Sequence, residues 1–262
     1  VSIVQLLVAG IIPALICILL LMTTAAIIAV VTKMPRAERR PTLMEVILSL
    51  LPALPALLAP VLMISGMMLG FFTPTEAASV TAIYVLFIAT IVYRELTWRH
   101  MWQATLNTAQ STSAILVIVA AASMFGWILA VEQIPQDFSR FILQFAQSPI
   151  VLLIIANLLF FIAGMFLDLT AATLLVVPII APPLVAAGID PVHLGIIVIF
   201  NLMLGLLTPP MGLSLFLVSS IAKINLRELL IALLPFYVPL LLCLGIITFA
   251  EDLVLWLPRM LR

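Results

Sequence analysis

Polar and apolar positions along the chain fall into long blocks rather than short periods. Apolar runs extend over Ile3–Thr32, Val46–Gly70, Pro74–Tyr93, Pro149–Ile180, His193–Ala222 and Leu229–Leu257, with a seventh over Asn107–Val131. A bilayer core about 30 Å thick takes roughly 20 apolar residues as a helix, and lipid offers no partner to an unpaired peptide group. Each run therefore predicts a membrane-embedded helix. Polar punctuation at Lys33–Glu45, Arg94–Gln103, Glu132–Gln147, Ala181–Asp190 and Lys223–Glu228 marks the loops, none long enough for a separate soluble domain. On this basis the chain divides into a first helix with its basic loop (1–45), a helix pair (46–103), a region of hairpin and broken helices (104–228) and a C-terminal transmembrane helix (229–262).

Lys33, Arg36, Arg39 and Arg40 make the first loop the most basic, which places it in the cytoplasm, and Arg94 and Arg99 return to the same side. Two paths are then open for Asn107–Val131: it crosses, or it dips in and returns as a re-entrant hairpin. The distribution of basic residues favours the hairpin by one residue, which puts the C-terminus outside. Ala120–Gly126, with Ser123 and Gly126, would form the hairpin tip, where small residues let backbone approach a ligand. Close helix packing through the same small residues is the other reading. The chain opens on Val1 with no basic n-region and no small-residue cleavage site, so no signal peptide is expected. It reads as a piece of something longer.

Two of the apolar runs are interrupted near their centres. Pro149–Ile180 has its midpoint beside Gly164-Met165-Phe166-Leu167-Asp168-Leu169-Thr170, and His193–Ala222 has its midpoint inside Gly205-Leu206-Leu207-Thr208-Pro209-Pro210-Met211-Gly212. As continuous helix each run would be about 45 Å long, more than a straight crossing needs. Thr208 before Pro209 has the form of a helix start, with a hydroxyl cap ahead of a proline whose fixed φ suits the first helical position. Asp168 is placed to cap a segment beginning at Leu169. A helix starting at mid-depth points unpaired N–H donors at an anion, while unwound carbonyls before it suit a cation. Paired broken helices of this kind point to a secondary-transporter site. The alternatives are a packed proline kink at Thr208–Gly212 and a purely structural cap at Asp168.

Thr73-Pro74-Thr75-Glu76 reads as a capping box opening the third run, with a translocation-path role for Glu76 as the second reading. Ser148-Pro149 and Asp190-Pro191 repeat the capping pattern where helices begin at membrane surfaces. Glu132, Asp137 and Arg140 belong to a short amphipathic segment, Ile134–Ala146, suited to the interface or to the returning limb of the hairpin. His100 and His193 stand at segment ends as interfacial residues, and Trp98, Trp102, Trp127 and Trp256 fit an aromatic belt.

Composition narrows the class. The 262 residues are 65% hydrophobic and 8% charged, against roughly 25% charged in soluble domains. Eleven basic residues balance eleven acidic ones, so no basic field exists to hold nucleic acid. Cys17 and Cys243 stand far apart in apolar runs, with neither metal-ligand spacing nor a disulfide framework. They read as packing residues. The fold class is an all-α polytopic membrane protein with about six transmembrane segments plus a re-entrant helical hairpin, two spans being broken at mid-membrane.

Gly70-Phe71-Phe72-Thr73-Pro74-Thr75-Glu76-Ala77, then Gly164 to Thr170, then Gly205 to Gly212, in that order, resemble the large membrane subunit of the tripartite ATP-independent periplasmic (TRAP) transporters. The likeness covers essentially the whole chain and corresponds to the C-terminal part of that subunit. The resemblance implies half of an inverted-repeat, elevator-type importer in a bacterial inner membrane, coupled to Na+. It also implies a small organic-anion substrate (a dicarboxylate, keto acid, sugar acid or sialic acid), a periplasmic substrate-binding protein that delivers it, and a small membrane subunit that braces the large one among the membrane lipid. Carried over by motif, the sodium ligands are Gly205, Thr208 and Met211 with Gly164, Asp168 and Thr170. Substrate contact or gating falls to Ser123, Gly126, Pro209, Pro210, Gly212 and Glu76.

Other classes fit less well. Intramembrane proteases need a serine or aspartate motif or H-E-x-x-H, none of which occurs in the sequence. A proton-translocating respiratory subunit needs several ionisable residues within spans, where only Asp168 and Glu76 qualify. Another ion-coupled carrier or a passive channel of related fold remains the serious alternative.

Overall fold

The computed structural model describes residues 2–34, 42–145 and 148–260, and every regular element among them is helical. Arg36, Arg39 and Arg40 of the first loop, Ala146 and Gln147, and Arg262 lie outside the described residues. In chain order the elements are α1 (Ile3–Ala9), α2 (Ile11–Val31), α3 (Leu43–Met68), α4 (Pro74–Phe87) with a π-helical turn at Ile88–Val92, α5 (Trp98–Val131), α6 (Ile134–Phe145) and α7 (Pro149–Phe166). There follow α8 (Leu169–Leu175), α9 (Val177–Ala186), α10 (Pro191–Leu206), α11 (Leu213–Ala222), α12 (Leu226–Phe249) and α13 (Glu251–Met260). Among the described residues six stretches are long and apolar enough to cross a membrane: Ile3–Val31, Leu43–Met68, Pro74–Val92, Trp98–Val131, Pro149–Phe166 and Leu226–Phe249. The chain is an all-α polytopic membrane protein.

Helix ends fall where the polar punctuation begins. Lys33, Arg94, Gln133 and Lys223 have φ of 51°, 54°, 53° and 54°, each within two residues of the end of a helix. A left-handed residue there turns the chain and satisfies trailing carbonyls, and a basic side chain complements the negative end of the helix dipole. At the starts, Thr73 Oγ1 accepts from the Glu76 N–H at 3.4 Å while Glu76 Oε2 accepts from the Thr73 N–H at 2.8 Å, closing the expected capping box with Pro74 in the first turn. Asp190 caps α10 through the N–H groups of Val192 and His193, at 2.8 and 3.2 Å.

The chain forms two compact units, 33–113 and the remainder made of 1–32 and 114–262. In the smaller unit α3 packs along α4, and two tyrosines tie them together. Tyr84 donates its hydroxyl to the Pro55 carbonyl at 2.9 Å, and Tyr93 donates to that of Pro52 at 2.6 Å. In the larger unit the core lies among α7, α10 and α12, where Phe160, Ile197, Leu202 and Ile247 are fully buried. Outer faces such as Ile18, Leu19 and Met22 of α2 present exposed apolar side chains, as helices in lipid must.

Three expectations are corrected here. The hairpin tip at Ala120–Gly126 does not form: α5 is one helix of 34 residues through that stretch, and Ser123 donates back to the Val119 carbonyl at 2.8 Å. Alanine, serine and a single glycine interrupt no helical bond, so the helix runs on to Val131 and the first turn comes at Glu132–Gln133, ahead of the short α6. The C-terminal run Leu229–Leu257 is not one helix, because α12 stops at Phe249 and α13 starts after Ala250. Glu251 and Asp252 favour a fresh helix N-terminus there, a charged pair inside what reads as one long apolar run. The break after Gly164 is followed by a second one, where α8 and α9 bend by 55° around Val176, and α9 continues to Ala186 through Pro182 and Pro183.

Candidate functional site

Both mid-run interruptions are real breaks, and a pair of glycines brings them together. α7 and α10 cross where Gly164 faces Gly205. A Cβ on Gly164 would stand 2.7 Å from the Leu202 carbonyl oxygen and 3.2 Å from the Gly205 Cα, and one on Gly205 would stand 2.5 Å from the Gly164 carbonyl carbon. Only two residues without side chains allow this approach, and each lies beside the C-terminal end of its helix.

The end of α10 follows from its prolines. In a continued helix the carbonyls of Gly205 and Leu206 would accept from the N–H groups of residues 209 and 210, but Pro209 and Pro210 have none. The Gly205 carbonyl accepts instead from the Thr208 N–H at 2.8 Å. Among the described residues no backbone donor serves Leu206 or Thr208. The Leu207 carbonyl accepts from the Tyr237 hydroxyl of α12.

The expected helix start at Thr208-Pro209 is not what forms. A residue preceding proline is disfavoured in the helical region, and here both Thr208 and Pro209 precede one. The Thr208 hydroxyl points back and donates to the Leu204 carbonyl at 2.9 Å, so it belongs to the end of α10. The Pro209–Pro210 peptide is cis. The new helix begins at Leu213, after Gly212 turns the chain at φ 47° and its carbonyl accepts from the Leu215 N–H at 2.7 Å.

At the other break, Leu167 and Asp168 are extended, with ψ of 151° and 164°. Asp168 caps α8 as the sequence suggests: Oδ2 accepts from the Thr170 N–H and Oδ1 from the Ala171 N–H, both at 3.1 Å. Asp168 and Thr170 are half-buried, and α8 packs against α10. The remaining candidates lie differently. Met211, Pro209 and Pro210 are exposed, and Gly212 is buried. Ser123 is exposed on α5, and nothing lies within 4 Å of a Cβ added at Gly126, so neither makes a close approach to another element here. Glu76 belongs to the smaller unit, where its exposed carboxylate is engaged in the capping box.

A buried polar set next to the glycine crossing escaped the sequence reading. Asn201 on α10, fully buried, donates to Asn157 Oδ1 on α7 at 2.7 Å, and Thr248 on α12 donates to the same oxygen at 3.2 Å. His193 is buried rather than interfacial, with Nε2 2.7 Å from the Ile247 carbonyl oxygen. His193, Ile197, Asn201 and Gly205 recur every four residues, which places them on one face of α10. That spacing, with asparagine inside two apolar runs, was the available signal.

Helices broken in a pair, with the carbonyl ends of both meeting at a glycine contact inside an all-α polytopic protein, are the architecture on which broken-helix carriers build their sites. The chain belongs to the DctM component family of the tripartite ATP-independent periplasmic transporters, whose family profile matches residues 1–253. It is 40% identical over 262 residues to the sialic acid TRAP transporter large permease protein SiaM of Vibrio cholerae, covering 99% of this chain and 60% of that protein. It is 38% identical over 260 residues to the C4-dicarboxylate TRAP transporter large permease protein DctM of Pseudomonas aeruginosa, covering 99% and 61%. With the 2,3-diketo-L-gulonate TRAP transporter large permease protein YiaN of Escherichia coli it shares 34% identity over 254 residues, covering 97% and 60%. The chain thus spans about three fifths of the length of these curated relatives. They are named as transporter permeases, not enzymes.

Proposed function

We propose that the chain supplies part of a secondary importer for a small organic anion, in which Na+ entry drives uptake and one half of the protein moves as an elevator against the other. The observation that carries this reading is the Gly164–Gly205 contact. It sets two helix C-termini side by side, and each is the negative end of a helix dipole with carbonyls freed from helical bonding. A hard monovalent cation takes oxygen ligands of that kind. Gly164 and Gly205 contribute backbone, Asp168 and Thr170 stand at the start of α8, and Thr208 offers a hydroxyl oxygen whose proton is already committed to Leu204. Met211 contributes through its carbonyl. Pro209, Pro210 and Gly212 keep the segment unwound, and the N–H groups opening α11 face an anion favourably.

Sialic acid, C4-dicarboxylate and 2,3-diketo-L-gulonate, the compounds in the relatives' names, are all carboxylates, which supports an organic-anion cargo for this chain. The same relationship supports a periplasmic binding protein and a small membrane subunit as partners in a bacterial inner membrane. The first basic loop then faces the cytoplasm. Glu76 is assigned to substrate contact or gating only in the assembled carrier, whereas Ser123 and Gly126 lose that assignment with the hairpin tip it rested on.

The test is uptake by the intact permease, with its small subunit and binding protein, in liposomes. Saturable accumulation of the anion that requires an inward sodium gradient and the binding protein is expected. Non-saturating flux without the binding protein would identify a channel instead, and accumulation driven equally by potassium or protons would remove sodium from the mechanism.

A further inference from the structure

The three tyrosines of the chain share one habit: each gives its hydroxyl proton to a backbone carbonyl in a proline-interrupted stretch. Tyr84 and Tyr93 do so along α3, which contains Pro52, Pro55 and Pro60. Tyr237 does so at the break itself, reaching from α12 to Leu207. Of the carbonyls at the end of α10, that of Leu207 is held by a side chain from another element. Its neighbours at Leu206 and Thr208 have no backbone donor among the described residues.

We propose that Tyr237 is a positioning residue for the cation site at the α10 break, an inference that rests on the sodium reading above. Leu207 sits at φ −90° and ψ −1°, and the peptide after it is held at both ends, its N–H (that of Thr208) by the Gly205 carbonyl and its oxygen by the Tyr237 hydroxyl. Consecutive carbonyls of a turn point in different directions. Holding the middle one toward α12 fixes where the flanking two are aimed. It also removes Leu207 from the pool of free acceptors, so the cation meets the flanking oxygens of a segment tied both to α10 and to α12. A site whose ligands are ordered in advance loses less entropy on binding. Tyr237 does not touch the ion in this account. It acts through the Leu207 peptide and references the break to a 24-residue span.

The experiment compares Tyr237→Phe with Tyr84→Phe in the intact permease reconstituted with its small subunit and binding protein. Tyr84→Phe removes a hydroxyl-to-carbonyl bond of the same kind away from the break. For Tyr237→Phe the sodium concentration giving half-maximal uptake should rise about fivefold, the equivalent of one neutral hydrogen bond. KM for the anion and the maximal rate at saturating sodium should stay within about twofold, and Tyr84→Phe should leave sodium activation unchanged. Purified protein in detergent provides a second readout, because sodium should raise Tm with a midpoint shifted to the same extent in Tyr237→Phe. Sodium-dependent wild-type uptake with unshifted activation in Tyr237→Phe would overturn the assignment, as would equal shifts in both variants or a lower maximal rate without a sodium shift. Sodium-independent wild-type uptake would overturn the underlying reading along with it.

Discussion

Gly164 of α7 and Gly205 of α10 touch backbone to backbone, with no room for a methyl group on either: a Cβ on Gly205 would fall 2.5 Å from the Gly164 carbonyl carbon, and one on Gly164 2.9 Å from the Leu202 Cα. The obstructing atoms are main chain, which does not step aside as a flexible side chain would. Gly205→Ala and Gly164→Ala should therefore each destabilise the protein by about 1–3 kcal/mol, the usual range for overpacking, and abolish uptake. Thermal unfolding in detergent measures the first effect. Gly245→Ala, inside α12 and with nothing within 4 Å, is the matched control and should not lower Tm.

Gly126 should give the opposite result, because α5 is continuous through it. Its added Cβ meets open space and it lies inside a helix, so Gly126→Ala should stabilise the helix by up to about 1 kcal/mol. A hairpin tip needing close backbone approach would lose uptake on the same change. Retained uptake with a higher Tm confirms that the chain turns at Glu132–Gln133.

Asp168 allows its two roles to be separated. Asparagine caps helices about as well as aspartate, so Asp168→Asn should leave Tm nearly unchanged, while Asp168→Ala should cost about 1 kcal/mol. If the carboxylate charge contributes to the cation site, Asp168→Asn will weaken sodium activation despite normal stability. Full transport by this variant would leave Asp168 as a cap only.

Thr208 presents a narrower case. Its hydroxyl belongs to the end of α10, bonded to Leu204, so removing it deletes no N-terminal cap of α11. Thr208→Ala should raise the half-saturating sodium concentration by several-fold, and Thr208→Ser should restore it. Uptake titrated against sodium decides the point.

The pair Asn157 and Asn201 should show coupling. Each single alanine variant leaves the other amide short of a partner inside the core, so a double-mutant cycle on Tm should give an interaction of about 0.5–2 kcal/mol. Additive effects would show that the 2.7 Å bond contributes nothing to stability.

The membrane architecture was legible because lipid imposes one rule on every residue, and charges at Lys33, Arg94 and Lys223 fall where helices stop. The breaks were legible because Asp168 and the paired prolines have no reason to lie inside apolar runs otherwise. Local chemistry was harder to direct. Thr208-Pro209 satisfies the grammar of a helix start, yet the second proline forbids it, and the hydroxyl turns back to Leu204. At Ala250 the bend was announced by Glu251 and Asp252, a polar pair too short to break a block of apolar residues read as one run. Tyr237, His193, Asn157 and Thr248 acquire their importance only from partners 30 or more residues away, which no local pattern encodes.

Pro209 and Pro210 have one further consequence. A helix interrupted by glycine or by strain can rewind when its surroundings change, recovering the missing bonds. Here the donors that would accept such an offer do not exist in the covalent structure, so no rearrangement of the backbone returns the Gly205 and Leu206 carbonyls to helical bonding with residues 209 and 210. The gap is chemical and permanent. Whatever motion the carrier undergoes, winding and unwinding of this segment is closed to it as a gate, and its oxygens must be covered and uncovered by the movement of something else.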